Sequence, residues 1–132
     1  MENEEELKRP LPNVNIIDNT KEEVLNYYIN NSKVIDKKKK EKGEVFTPVL
    51  LVQEMLDKLP DDVWSNPNLK LLDPAVGTGV FPICLYYRFM EGLKDEIKDE
   101  NDRREHILKN MLYMVEIDSH NIKILKKIFK ID

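Results

Sequence analysis

The chain has a single cysteine, Cys84, so no internal disulfide can form. That suits a reducing cytoplasm, which is the expected location. Only two histidines occur in 132 residues, and no Cys/His spacing of the kind that holds zinc is present. No window approaches the ~20 apolar residues of a membrane span. The start, Met1-Glu2-Asn3-Glu4-Glu5-Glu6, is acidic and lacks an apolar stretch, so no secretory signal is expected. Basic charge is not in excess either: 21 Lys and Arg stand against 25 Asp and Glu, a net −4. A stand-alone DNA binder usually carries a basic face, and this balance argues against one.

What is there is 41% apolar and 35% charged, the composition of one small globular domain with a highly solvated surface. Residues 1–19 read as a disordered or extended acidic lead. Glu2 and Glu4 to Glu6 repel one another, and Pro10 and Pro12 bar a regular helix. Thr20 with Glu23 forms a capping box, and Val24, Leu25, Tyr28 and Ile29 predict a helix to about Asn31. Lys37 to Lys40, Glu41 and Lys42 then read as a solvated basic loop, with DNA phosphates as the sharper alternative. Residues 20–42 are thus a helix and basic linker before a domain over 43–132.

In that domain Thr47 and Pro48 suit the start of a helix. Val49, Val52, Met55, Leu56 and Leu59 mark one face, and Pro60 ends it. Leu69 to Leu72 predict a first strand, Gly79 to about Leu93 a helix, Arg103 to Asn110 a short helix and Met111 to Ile117 a second strand. Ser119 to Lys130 predict a last helix with Ile122, Leu125, Ile128 and Phe129 inward and Lys123, Lys126, Lys127 and Lys130 outward. Leu93 to Arg104 are almost wholly charged and read as an insertion or a solvated helix end. His106 and His120 read as surface residues. Phe81, Cys84, Trp64, Tyr86 and Tyr87 read as packing before anything else.

The most informative stretch is Leu71-Leu72-Asp73-Pro74-Ala75-Val76-Gly77-Thr78-Gly79-Val80-Phe81. A short apolar strand ends in a carboxylate, and two glycines one residue apart open a helix. Glycine accepts positive φ cheaply and lets a ligand approach the main chain. The helix behind it offers free N–H groups. The pattern is not the dinucleotide fingerprint, because Pro82 stands three places after Gly79. It is not a P-loop, because no Gly-Lys-Ser/Thr follows.

Asp73-Pro74-Ala75-Val76-Gly77-Thr78-Gly79-Val80-Phe81 resembles motif I of the S-adenosylmethionine-dependent DNA amino-methyltransferases, usually Asp-Pro-x-Cys-Gly-Ser-Gly-x-Phe. Gly43-Glu44-Val45-Phe46-Thr47-Pro48 resembles their motif X, and Tyr113-Met114-Val115-Glu116-Ile117-Asp118 their motif II. The order X, I, II leans towards the adenine-N6 group. The set is most similar to modification subunits and fused enzymes of type I and type IIG restriction–modification systems. The resemblance covers roughly residues 40–130. It implies an α/β, partial Rossmann-like methyltransferase fold: the first two parallel strands with flanking helices, preceded by an N-terminal helical segment. It also implies S-adenosylmethionine as cofactor. Phe46, Thr47 and Pro48 would flank the methionine end, which Asp73, Pro74, Ala75, Gly77 and Gly79 would hold. Glu116 would take the ribose hydroxyls and Ile117 would pack on the adenine. Each has a plainer reading: Asp73 as a turn former, Glu116 as an exposed strand-end residue, Thr47 as a helix cap. Glu116 comes 37 residues after Gly79, against about 20 in dinucleotide folds, so the charged stretch must loop out.

The family holds its flipped base with an Asn/Asp/Ser-Pro-Pro-Tyr/Phe tetrapeptide, and these 132 residues contain none. Asn66-Pro67-Asn68 lacks the second proline and the aromatic. No catalytic residue is therefore assigned, and the expectation is a truncated cofactor-binding part, inactive alone. DNA would be met through a complete enzyme or partner chain. The exposed sheet edge would pair with a second copy or a second subunit. A non-catalytic decoy of a modification subunit and a decayed remnant are the alternatives.

Overall fold

A computed structural model describes residues 10–42 and 49–132, with the backbone alone over 32–42. Motif X, with Phe46, Thr47 and Pro48, lies outside the described residues. The chain divides into two compact units, Met1–Phe46 with Glu116–Asp132, and Thr47–Val115.

The Thr47–Val115 unit holds α2 (Val49–Asp57), a 3-10 turn (Asp61–Val63), β1 (Leu71–Asp73), α3 (Val80–Gly92), α4 (Glu100–His106), a π-helical turn (Ile107–Met111) and β2 (Leu112–Met114). The two strands pair in parallel, with Leu71 opposite Leu112, Leu72 opposite Tyr113 and Asp73 opposite Met114. Side chains alternate along a strand. Leu112 is accordingly buried, and Leu72 and Tyr113 are 65% and 40% exposed. Parallel sheets are ordinarily covered on both faces; among the described residues this one has two strands and an exposed apolar face.

Helix α3 is the centre of this unit and contacts α2, α4, the π turn and β2. Ile83, Cys84, Tyr86 and Phe89 are all at most 1% exposed, and each large apolar side chain so buried is worth about 1.5–3 kcal/mol. Pro82 sits in the first turn of α3 and is buried. A missing N–H there breaks no intrahelical bond. Gly92, the last residue of α3, is required by a neighbour. A Cβ there would fall 2.6 Å from the Trp64 carbonyl carbon and 2.7 Å from Trp64 Cβ. The Trp64 ring lies edge-on to Phe89 at 5.1 Å and beneath the Arg88 guanidinium at 5.3 Å. Arg88 Nη2 also donates to Gln53 Oε1, at 2.8 Å, and to Asp57 Oδ1, at 2.6 Å, tying α3 to α2. His106 spans Pro67 and Asn110. Its Nε2 is 2.7 Å from the Pro67 carbonyl oxygen, and its Nδ1 is 3.2 Å from Asn110 Nδ2. Because a carbonyl only accepts, Nε2 carries the proton and Nδ1 accepts. Tyr86 Oη accepts from Arg104 Nε at 3.2 Å, and burial pushes its phenol above the ordinary value near 10.

The other unit holds α1 (Lys21–Lys42) and α5 (Ser119–Phe129). Thr20 and Glu23 form the expected capping box: Thr20 N donates to Glu23 Oε1 at 2.9 Å, and Glu23 N to Thr20 Oγ1 at 3.1 Å. Within the expected extended lead, Asn15 organises a turn by accepting from Ile17 N and Asp18 N, and buried Ile16 donates its N–H to Ile128 O at 2.9 Å. Val24, Tyr28, Leu125, Ile128 and Phe129 are buried.

Several expectations are corrected. The basic run Lys37 to Lys42 is helical backbone, not a loop; lysine and glutamate are good helix formers, and no Gly or Pro interrupts before Gly43. Of the charged stretch, residues 93–99 form turns and bends, and a helix begins at Glu100, because Asp99 caps it by accepting from Asp102 N at 2.8 Å. Strand β1 starts at Leu71, and β2 stops at Met114. Met55 and Leu59 are 47% and 39% exposed, off the buried face of Val49, Val52 and Leu56. In α5 Ile124 is buried and Ile122 half-buried, and His120 is 5% exposed, not a surface residue. The lysines of α5 are exposed as expected.

Candidate functional site

The glycine turn is built from its own sequence and one strand end. Asp73 closes β1, and its Oδ1 accepts from Ala75 N at 3.1 Å. Aspartate does this readily, so the turn-forming role holds, and the bond also fixes the carboxylate's orientation. Val115, the residue after β2, grips the loop on both sides. Its N–H donates to Asp73 O at 3.0 Å, and its carbonyl accepts from Val76 N at 3.1 Å. Gly79 N then turns back on Val76 O at 3.1 Å, and Ile83 N on Gly79 O at 2.9 Å begins α3.

Both glycines take positive φ, Gly77 at 62° and Gly79 at 100°. Each is in the region that L side chains rarely adopt. A Cβ built on Gly77 would meet nothing within 4 Å. The main chain there borders open space. Gly79 is the N-cap of α3 and offers no side-chain cap. N–H groups of the first turn, Pro82 excepted, therefore receive no side-chain cap from Gly79. Pro74 and Ala75 are exposed, and Asp73 is half-buried. An open pocket of about 160 Å³ shares Asp73 with this loop and is walled chiefly by Leu71, Leu72, Phe81, Leu85, Leu112 and Tyr113. Phe81, read as core, is half-buried in that wall. The structure therefore brings Asp73, Pro74, Ala75, Gly77 and Gly79 into one loop.

Glu116 and Ile117 belong to the other unit. Glu116 is half-buried, not an exposed strand end. Its Oε2 accepts from Asp118 N and from Asn121 Nδ2, both at 3.1 Å. Asp118 caps α5, its Oδ1 accepting from His120 N and Asn121 N at 2.9 Å. Ile117 is 96% exposed. Val115 and Asn121 carry as much of this geometry as the residues singled out from the sequence. Val115 acts through its backbone, which leaves no sequence signal. Asn121 stood five places after Glu116, where a helix start could bring it back.

A carboxylate-ended parallel strand, a glycine turn at positive φ and a helix start without a side-chain cap form the kind of corner at which open α/β sheets commonly bind ligands. Comparison with known proteins narrows that class. The model of the N-6 DNA Methylase family matches residues 18–126. The chain is also 48% identical, over 75 residues, to an "Uncharacterized adenine-specific methylase" of Mycoplasma pneumoniae (strain ATCC 29342 / M129 / Subtype 1). That match covers 54% of this chain and 18% of the relative's length. No solved structure matches. The chain belongs to the N-6 DNA methylase family. Its mixed helical and parallel-strand architecture is compatible with that family's α/β fold. Among the described residues no helix is long and apolar enough to cross a membrane.

Proposed function

We propose that this chain is the S-adenosylmethionine-binding part of a DNA adenine-N6 methyltransferase, with β1 and β2 as the first two strands of a Rossmann-like sheet. The observation that carries the reading is Gly77: it holds φ 62° beside open space that a Cβ would enter without touching protein. The positive φ alone would call for glycine; what favours a ligand is the open space beside it, where the main chain can be approached without displacing protein.

Bound there, S-adenosylmethionine would supply the activated methyl group. The residues of this chain bind and orient. The main chain of Gly77 and Gly79, with Pro74 and Ala75 beside it, would approach the methionine end, and the uncapped start of α3 would favour its carboxylate. Asp73, its side chain already oriented by Ala75 N, would accept from the ammonium as a charge-assisted bond. Phe46, Thr47 and Pro48 are assigned to the same end on their sequence alone. Glu116 would accept from the ribose hydroxyls, and the exposed Ile117 would cover one face of the adenine.

DNA is the proposed substrate of the complete enzyme, by family. These 132 residues hold no Asn-Pro-Pro-Tyr-like tetrapeptide, so the chain alone is proposed to transfer no methyl. Among the described residues the sheet has only two strands, and its unpaired edges favour pairing with a second copy or another subunit that extends it. A cytoplasmic location is proposed with it. Titration calorimetry with S-adenosylhomocysteine, the demethylated form, tests the reading: saturable 1:1 heat supports it, and no heat at millimolar ligand ends it.

A further inference from the structure

The start of α5 carries an asparagine whose position is not explained by helix formation. Asn121 Nδ2 donates to Glu116 Oε2 at 3.1 Å. Its other amide atom, Oδ1, is buried and has no hydrogen-bond partner among the described residues. An unpaired buried acceptor destabilises a fold. The amide cannot simply be turned over, because Oδ1 would then face the carboxylate. Capping of the helix is already done by Asp118, which accepts from His120 N and Asn121 N. The feature that accounts for Asn121 is thus the orientation of Glu116. Asp118 contributes from the backbone, its own N–H donating to the same Oε2 at 3.1 Å. Two donors converging on one carboxylate oxygen restrict the rotation of the side chain, and a preset acceptor loses less freedom when a ligand arrives.

We propose that Asn121 is a positioning residue for Glu116, setting its carboxylate for the ribose hydroxyls of the cofactor. This rests on the cofactor reading above. Asn121 itself touches no ligand in this scheme; it acts through Glu116, in the way that residues behind a metal ligand fix its orientation.

The test is a double-mutant cycle read by calorimetry with S-adenosylhomocysteine and its 2′-deoxy analogue, with thermal melting alongside. Asn121→Leu removes the donor and the unpaired oxygen together, so melting should hold or rise. Affinity for S-adenosylhomocysteine should fall about ten-fold, the lower end of what loss of such a supporting bond costs. Against the 2′-deoxy analogue the loss should shrink. In a Glu116→Ala background Asn121→Leu should change nothing further. Asn121→Asp, which keeps the shape at a helix start that tolerates negative charge, should lose affinity at least as strongly. Equal losses with and without Glu116, or unchanged affinity in both Asn121 variants, would overturn the inference and leave the cofactor reading standing. Absence of binding by the wild-type chain would overturn both.

Discussion

Gly77→Ala separates a structural glycine from one that makes room for a ligand. The structure sets the cost to folding. An added Cβ meets nothing within 4 Å, so no overlap with protein contributes. What remains is the backbone at φ 62°, where an L side chain costs about 1–2 kcal/mol. The unfolded chain loses freedom as well, which returns about 0.4–1 kcal/mol. The net is about 1 kcal/mol, a fall of roughly 3–6 °C in Tm for a chain of this size. Binding is affected differently. The methyl group projects into the space that the ligand's methionine end is proposed to take. Inserting a methyl into a packed contact costs about 1–3 kcal/mol, which is roughly 5- to 150-fold in Kd. Thermal melting and calorimetry with S-adenosylhomocysteine on the same preparation read the two quantities apart. A folded Gly77→Ala variant that binds as tightly as the wild type would refute the argument, since the space beside Gly77 would then serve no ligand.

Gly92→Ala is the counterpart: its Cβ would overlap the Trp64 main chain, so about 1–3 kcal/mol or more of stability should be lost; an unchanged urea midpoint would show that Trp64 yields freely. Tyr86 predicts a pH effect. Its phenol is held above the ordinary value by burial, so the unfolded chain ionises first; stability is full below pH 10 and falls as pH rises through the folded value. Tyr86→Phe should flatten the alkaline limb of a melting series, and an identical limb in both proteins would assign the loss elsewhere. Incubated with labelled S-adenosylmethionine and unmethylated DNA, the pure chain should leave no label in the DNA. Labelled DNA would mean that an unrecognised segment, or an assembly of copies, builds the base pocket.

What could be read from the sequence is what is settled by neighbours in the chain. The Thr20–Glu23 capping box, the stop of α2 before Pro60 and the start of α5 after Asp118 each involve residues within a few places of one another. So does part of the glycine turn, through Asp73, Gly77 and Gly79. Charge misled in two places. Lys37 to Lys42 was expected to be a loop because it is so charged, yet charge does not oppose a helix when every residue is a good former. The stretch before Arg104 hid an ordinary helix start at Asp99. The remaining differences depend on distant partners. Gly92 is fixed by Trp64 and His106 by Pro67; neither partner can be inferred from helical spacing.

The candidate site divides along the same line, and that division says where its chemistry can be tested first. The loop from Asp73 to Gly79 is held by local bonds and by Val115 from the neighbouring strand. A change at the Val115 side chain leaves those backbone bonds in place, because Val115 contributes N–H and C=O. Proline there is different, for it removes the N–H that donates to Asp73 O at 3.0 Å and leaves that carbonyl without its strand partner. Val115→Pro should therefore loosen the glycine loop with β1 at its base, at a cost of about 1–3 kcal/mol for the lost bond. Ligand affinity should fall in step, although no side chain proposed to touch the cofactor has changed. Val115→Thr keeps both backbone groups and should do neither. Amide exchange at Val76 and Gly79 reads the loop directly: faster exchange in Val115→Pro alone is the expected result. Equal protection in both variants would mean that the loop stands without the Val115 N–H bond.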